Sequence, residues 1–349
     1  MADLFWPGDE RAGDAFAATA VLAALLAVEE AWSDALGHPL PEGLVTDADL
    51  EGFARAAEVG GNPVISLVEE LRGRSGSHHL HTGLTSQDVL DTALVMVARD
   101  TTRTVASDLE AIVSALAVLA DRHRAHPMIG RTLTQHALPI TFGLKAAHWL
   151  QGVLDARDQL RALRFPAQLG GPVGIGLPQA GDAAGKLGLE DAPPWQTVRT
   201  PFTRYADALV TVTDGLAHVA GDVLVLARTE VGEVAEAAGR GGSSSMPHKS
   251  NPVLSLLIRR AALTTPGLAA QLHLAAADTR DERPDGAWHT EWSTLATLSR
   301  RTLVATSQGV ELIDGLRVDT AAMAARVSEP ADQPQVDTTI DRILERSRS

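Results

Sequence analysis

The sequence predicts an all-α protein, a bundle of long helices joined by short loops. Three observations carry this prediction. Ala and Leu dominate, aromatic residues make up only 4%, and alternating β-branched runs are scarce, a composition that favours helix over strand. Residues 86–126 contain neither Pro nor Gly. As one helix they would span about 60 Å at 1.5 Å per residue, far above the usual length in globular proteins. Further long segments with few breakers follow at 139–163, 201–238, 252–279 and 288–314.

Taken in order, the first helix is expected over Asp14–Leu36, with Gly37 as its stop and Pro39 beyond it. Two short helices follow near 47–59 and 63–72, and Gly73-Arg74-Ser75-Gly76-Ser77 reads as a loop. Thr85 with Asp88 three residues later forms a capping box that opens the long helix at Ser86. Gly130 to Thr141 reads as a loop between helices, with Pro139 near the next helix start. Gly170 to Gly176 is a glycine-rich connection. In the run from Gly239 to Pro252, Asn251 is placed as N-cap of the helix that Pro252 begins. The last stretch, 328–349, reads as a short helix with a frayed tail. The chain divides into an N-terminal helical domain (1–85), a central long-helix bundle (86–320) and a C-terminal tail (321–349). Helices this long and this apolar need partners along their length, which identical subunits can supply.

Composition narrows the function. A formal net charge of −14 argues against sequence-independent nucleic-acid binding, which needs Lys and Arg on phosphates. It leaves room for a small anionic substrate held in a local cationic pocket. The absence of cysteine excludes disulfides, thiolate nucleophiles and Cys-ligated metals. The start Met1-Ala2-Asp3-Leu4-Phe5-Trp6-Pro7 lacks the basic residues of a leader, and the apolar run 15–28 is too short for a membrane span. A cytoplasmic protein without membrane or nucleic-acid partner is expected. His78, His79 and His81 cluster without a carboxylate–histidine pair to complete a metal site, so neither metal nor cofactor is called for.

Four segments carry chemistry. In Gly242-Ser243-Ser244-Ser245-Met246-Pro247-His248-Lys249-Ser250-Asn251-Pro252, three hydroxyls follow small flexible residues and precede a lysine and a helix start. That combination offers an anion site and a loop able to close over a ligand. The other three are His81-Thr82-Gly83-Leu84-Thr85-Ser86-Gln87-Asp88-Val89-Leu90-Asp91-Thr92-Ala93, Gly130-Arg131-Thr132-Leu133-Thr134-Gln135-His136-Ala137-Leu138-Pro139-Ile140-Thr141, and Glu282-Arg283 followed by Trp288, Glu291 and Trp292. Read without a family, they are a capped helix start, an interhelical loop and a polar turn with packed aromatics.

Together these segments resemble the signature stretches of the fumarase/aspartase superfamily, over roughly residues 14–318. The resemblance implies a long-helix bundle with a 20-helix core formed by a homotetramer, whose active sites draw on three subunits. It also implies a small C-terminal helical domain, here reduced to 321–349. Ser243 is then the general base and Lys249 a catalytic cation. His81, Thr85, Ser86, Gln87, Thr132, Gln135, Ser244, Met246 and Asn251 bind substrate, and His136 and His81 are candidates for the acid. Leu133 stands where most fumarases, argininosuccinate lyases and adenylosuccinate lyases carry a histidine. An apolar residue there, the Gln135-His136-Ala137 wording and the Glu282-Arg283 segment are similar to the 3-carboxy-cis,cis-muconate cycloisomerase branch. In that branch a carboxylate adds across a double bond to give a lactone, a step of protocatechuate degradation, and Arg283 would hold the third carboxylate. The alternatives are a superfamily lyase that eliminates from a substituted succinate with fumarate release, and a helical scaffold without turnover.

Overall fold

The computed structural model describes residues 3–246, 249–328 and 334–348. Helix α1 (Ala18–Ala35) leads into α2 (Leu50–Gly60) and α3 (Val64–Ser75). The third helix runs three residues, just under one turn, into the stretch expected as loop, and ends at Gly76 in the left-handed conformation. Five long helices form the body: α4 (Ser86–Arg122), α5 (Phe142–Arg161), α7 (Thr200–Leu226), α8 (Val253–Ala277) and α9 (Gly286–Asp314), with the short α6 (Ala180–Lys186) between α5 and α7. Helix α7 packs on α5, α8 and α9, while α4 packs on α5 and α9. Helix α1 covers α4. The tail contains α10 (Thr320–Ala324) and α11 (Pro334–Ser347), and α11 lies on α5 and α4.

Two corrections concern strands. The segment expected as an interhelical loop is an antiparallel hairpin, β1 (Pro127–Thr132) with β2 (Gln135–Thr141). The helix expected to run to 238 stops at Leu226. A two-residue strand β3 (Val234–Ala235) follows and pairs with β4 (Arg317–Val318). Gly232, in the left-handed region, turns the chain there. Gly143 seats the hairpin on the bundle, since a Cβ at that position would lie 2.5 Å from the Arg124 Cα.

The expected capping box is present: the Thr85 amide donates to Asp88 Oδ2 at 2.9 Å. Asp88 also accepts from the amides of Gly170 (2.8 Å) and Gly171 (3.1 Å) and from Gln168 Nε2 (3.1 Å). One carboxylate thus starts α4 and fastens the glycine-rich connection to it. Burial pushes its pKa up, against the pull of these donors.

The core also holds an ionic cluster. The buried Arg199 guanidinium donates to Asp91 (2.6 and 3.0 Å) and to Glu291 (2.5 to 3.2 Å). Trp288 Nε1 adds a bond to Asp91 at 2.9 Å. Trp195 and Phe202 each place a ring 5.0 Å from the guanidinium carbon. Burial pushes the Glu291 pKa up, although Arg199 opposes the shift.

Arg199→Met should leave two carboxylates buried without their cation. A loss of about 3–5 kcal/mol is expected from urea unfolding, the usual cost of breaking a buried pair. At the hairpin base, burial and the nearby charges of His126 and Arg122 hold the His123 pKa below its ordinary 6.5. The unfolded chain then binds that proton more readily, so stability present above pH 6.5 is lost as pH falls through it. His123→Gln should flatten this acid-side fall in the urea midpoint.

Candidate active site

The Ser-Gly loop is a closed ring. The Asn251 amide donates to the Gly241 carbonyl at 2.8 Å and its side-chain Nδ2 does so at 2.9 Å. Gly241 is in the left-handed region, and a Cβ there would run into the Asn251 backbone. Asn251 is therefore not the cap of α8, because its side chain is turned back across the loop neck. The cap is Glu236, which accepts from the amides of Leu254 (3.0 Å) and Ser255 (2.8 Å) and from the Ser255 hydroxyl (2.7 Å). The helix end expected to attract a substrate anion is already satisfied by a protein carboxylate. An anion at this loop would have to be met by side chains instead.

Within the ring, Ser243 Oγ accepts from the amides of Ser245 (3.4 Å) and Met246 (3.2 Å). Donors aimed at an oxygen favour its anionic form. Ser244, Met246 and Lys249 are exposed, and Pro247 and His248 fall outside the described residues. Arg240, at the loop's entrance, pairs with Glu311 near the C-terminal end of α9 at 2.6 Å.

The hairpin is tied at its base to the segment ahead of this loop. Arg131 makes a bidentate contact to Glu233 (3.0 and 2.8 Å), just before β3. Thr132 pairs with Gln135, so the connection is a two-residue turn of Leu133 and Thr134, both with positive φ (46° and 70°). Such primed turns ordinarily take Asn-Gly. Thr132, Gln135 and His136 all point their chain segment into solvent, and Leu133 and Leu138 are 95% and 72% exposed.

A second group gathers at the start of α4. Arg283 donates to Thr85 Oγ1 and to the Pro172 carbonyl, so the segment before α9, the cap of α4 and the glycine-rich connection meet at one cation. Ser86 opens the helix next to them. His81 lies four residues before Thr85 and bonds Glu29 through Nδ1. Gln87 points inward, donating to Asp91 (3.2 Å) and to the Gln196 carbonyl (3.0 Å).

The structure thus sorts the expected site residues into two groups at opposite ends of the bundle. Helix α4 begins at Ser86 and delivers the hairpin after Arg122, about 54 Å away at 1.5 Å per residue. Helix α9 begins just after Arg283 and meets the Ser243 loop near Glu311. A single chain does not bring Ser243 to Thr85. Residues that sequence reasoning missed are Arg199, Glu236 and Glu233. Arg199 carries no local signal, since its partners lie about 100 residues away on either side. Glu233 and Glu236 flank an apolar pair after Gly232, a short strand pattern that could have exposed them.

This architecture and the loop define the class. A lyase-family model matches residues 45–267, and the chain belongs to that family, within the fumarase/aspartase superfamily. It is 44% identical to nitrosuccinate lyase of Streptomyces davaonensis over 305 residues, covering 80% of this chain and 64% of that protein. It is 39% identical to 3-carboxy-cis,cis-muconate cycloisomerase of Pseudomonas aeruginosa over 291 residues, covering 78% and 63%. The chain therefore spans just under two thirds of the length of these relatives. Among solved structures, 3-carboxy-cis,cis-muconate lactonizing enzyme from Pseudomonas putida superposes with a TM-score of 0.82 at 28% identity, covering 99% of this chain and 95% of that one. Fumarate lyase from Mesorhizobium gives 0.81 at 27% identity, covering 98% and 86%.

Replacing Leu133-Thr134 by Asn-Gly should relieve the strained turn and raise the unfolding free energy by about 1–3 kcal/mol. Thermal unfolding of the variant checks this.

Proposed function

We propose that this protein eliminates an anionic leaving group from a 2-substituted succinate, with nitrosuccinate as the model substrate and fumarate as the product. One observation carries the reading. Among the described residues of the two groups, Lys249 and Arg283 are the cations without a carboxylate partner, and two cations suit a dicarboxylate. Ser243 takes the proton beside one carboxylate, the carbon–nitrogen bond breaks, and nitrite departs with its electron pair. Nitrite is a stable anion and needs no proton on leaving. That fits an apolar Leu133 at the hairpin tip where a proton donor would otherwise stand. The 44% identical nitrosuccinate lyase supports the same choice.

The complete site is built between copies of the chain. Ser243 and Lys249 from one copy, the hairpin residues Thr132, Gln135 and His136 from another, and Thr85, Ser86 and Arg283 from a further copy surround one substrate in a homotetramer with a 20-helix core. The distance between Ser243 and Thr85 within one chain, at opposite ends of α4 and α9, supports such sharing. The exposed Leu256, Leu263 and Leu274 on α8, with Leu133 and Leu138 on the hairpin, give the copies apolar surface to bury.

A second reading is cycloisomerisation of 3-carboxy-cis,cis-muconate. The Glu282-Arg283, Trp288 and Glu291-Trp292 segment and the Pseudomonas relatives favour it. Its reverse also expels an anion, here a carboxylate, and so needs no donor at Leu133.

Incubation with nitrosuccinate should yield equimolar nitrite and fumarate, and Ser243→Ala should lower kcat at least about a thousandfold, as expected for loss of a proton-abstracting group with its charge-stabilised setting. Loss of the diene absorbance of 3-carboxymuconate, without nitrite release from nitrosuccinate, would reverse the order of the two readings.

A further inference from the structure

Helix α1 contributes a carboxylate whose placement packing does not explain. Glu29 is fully buried. Its Oε1 lies 2.6 Å from His81 Nδ1, and its Oε2 is buried without a partner. The ring it meets is held in a costly conformation, because His81 has φ of 61°, in the left-handed region that non-glycine residues seldom occupy. The loop is fixed around it. Trp32 Nε1, one turn along α1 from Glu29, donates to the Thr82 carbonyl at 2.9 Å, and the Leu84 amide donates to the His81 carbonyl at 3.3 Å. Helix α1 therefore grips this loop twice, through an acid on the ring and an indole on the backbone.

We propose that Glu29 is a positioning residue. It holds His81 so that Nε2–H points outward as a hydrogen-bond donor to a substrate carboxylate, beside the Thr85–Arg283 anchor. A buried carboxylate persists only when paired, and among the described residues His81 is its partner. In this arrangement Nδ1–H is spent on Glu29. Nε2 is the remaining ring nitrogen; among the described residues it has no bonding partner, and it is not among the buried unsatisfied atoms. This arrangement fixes which nitrogen faces the ligand, as second partners of histidine ligands commonly do. The strained backbone at His81 is then the means by which ring and acid are brought into line. A fixed donor adds reach for one carboxylate oxygen without adding a third unpaired cation, which keeps the site matched to a dicarboxylate. The inference rests on the dicarboxylate reading above.

The test is calorimetric binding of succinate, which does not turn over, to wild type, Glu29→Gln, His81→Ala and the double variant, each confirmed as the same oligomer. Glu29→Gln should weaken binding about 10–100-fold, the range of a charge-assisted hydrogen bond. In the His81→Ala background the same change should do almost nothing, because Glu29 acts only through the ring. Glu29→Asp keeps the charge but shortens the reach, and should give a smaller loss of the same sign. If Glu29→Gln does not fold, the Asp variant in both backgrounds decides by the same criterion. Equal losses with and without His81, or no loss at all, would overturn the role of Glu29 while leaving the dicarboxylate reading intact. Failure of the wild-type oligomer to bind succinate would remove that reading and this inference together.

Discussion

Arg199 bridges Asp91 on α4 and Glu291 on α9, and the site's anchor depends on it. Asp91 lies little more than one turn beyond Ser86, and Glu291 lies little more than one turn into α9, which starts three residues after Arg283. The guanidinium therefore sets the relative height of the two helix starts that carry Thr85, Ser86 and Arg283. It is planar and presents several donors in a fixed fork, so it fixes angle as well as distance. Two carboxylates around one cation would be a poor bargain in a dry core. Burial accordingly raises the Glu291 pKa, and Trp288 supplies Asp91 with an additional donor.

The same device recurs at both helix starts that flank the chemistry. Asp88 caps α4 while binding the amides of Gly170 and Gly171, and Glu236 caps α8 while lying just outside the Ser243 loop. Each uses the free amides of a helix end to lock a neighbouring segment in place. The consequence is chemical. Since protein carboxylates already satisfy these helix ends, the cations left without a carboxylate partner among the described residues of the two groups are Lys249 and Arg283, on which the proposed dicarboxylate site rests. The loop itself is tied at its neck by Asn251 and Gly241, and Ser243 sits inside the ring against two amides.

The hairpin shows where local sequence misleads. Pro139 and Gly130 read as loop punctuation, yet they lie within paired strands because Leu133 and Thr134 accept positive φ at the turn. Neither residue type favours that conformation, so propensity argues against a hairpin that tertiary contacts impose. Arg131 on Glu233 and the close seating of Gly143 on α4 hold its base. Asn251 misled for the opposite reason. It is an excellent cap by type, but a distant acid took the helix end and left the amide to close the loop.

By itself, the sequence determined the helical architecture, the capping box of Thr85 and Asp88, and the superfamily. All three rest on short-range information: breaker-free runs, a three-residue spacing, and motifs whose glycines, serines and prolines have local backbone roles. It also identified both groups of candidate site residues. Only the tertiary structure decided that those groups stand at opposite ends of the bundle, and that Arg199, Glu233, Glu236 and Glu29 support them. Those decisions depend on contacts between residues far apart in the chain. A buried ion pair leaves no mark on the residues next to it, so Arg199 reads as one more arginine before a helix until Asp91 and Glu291 are brought to either side of it.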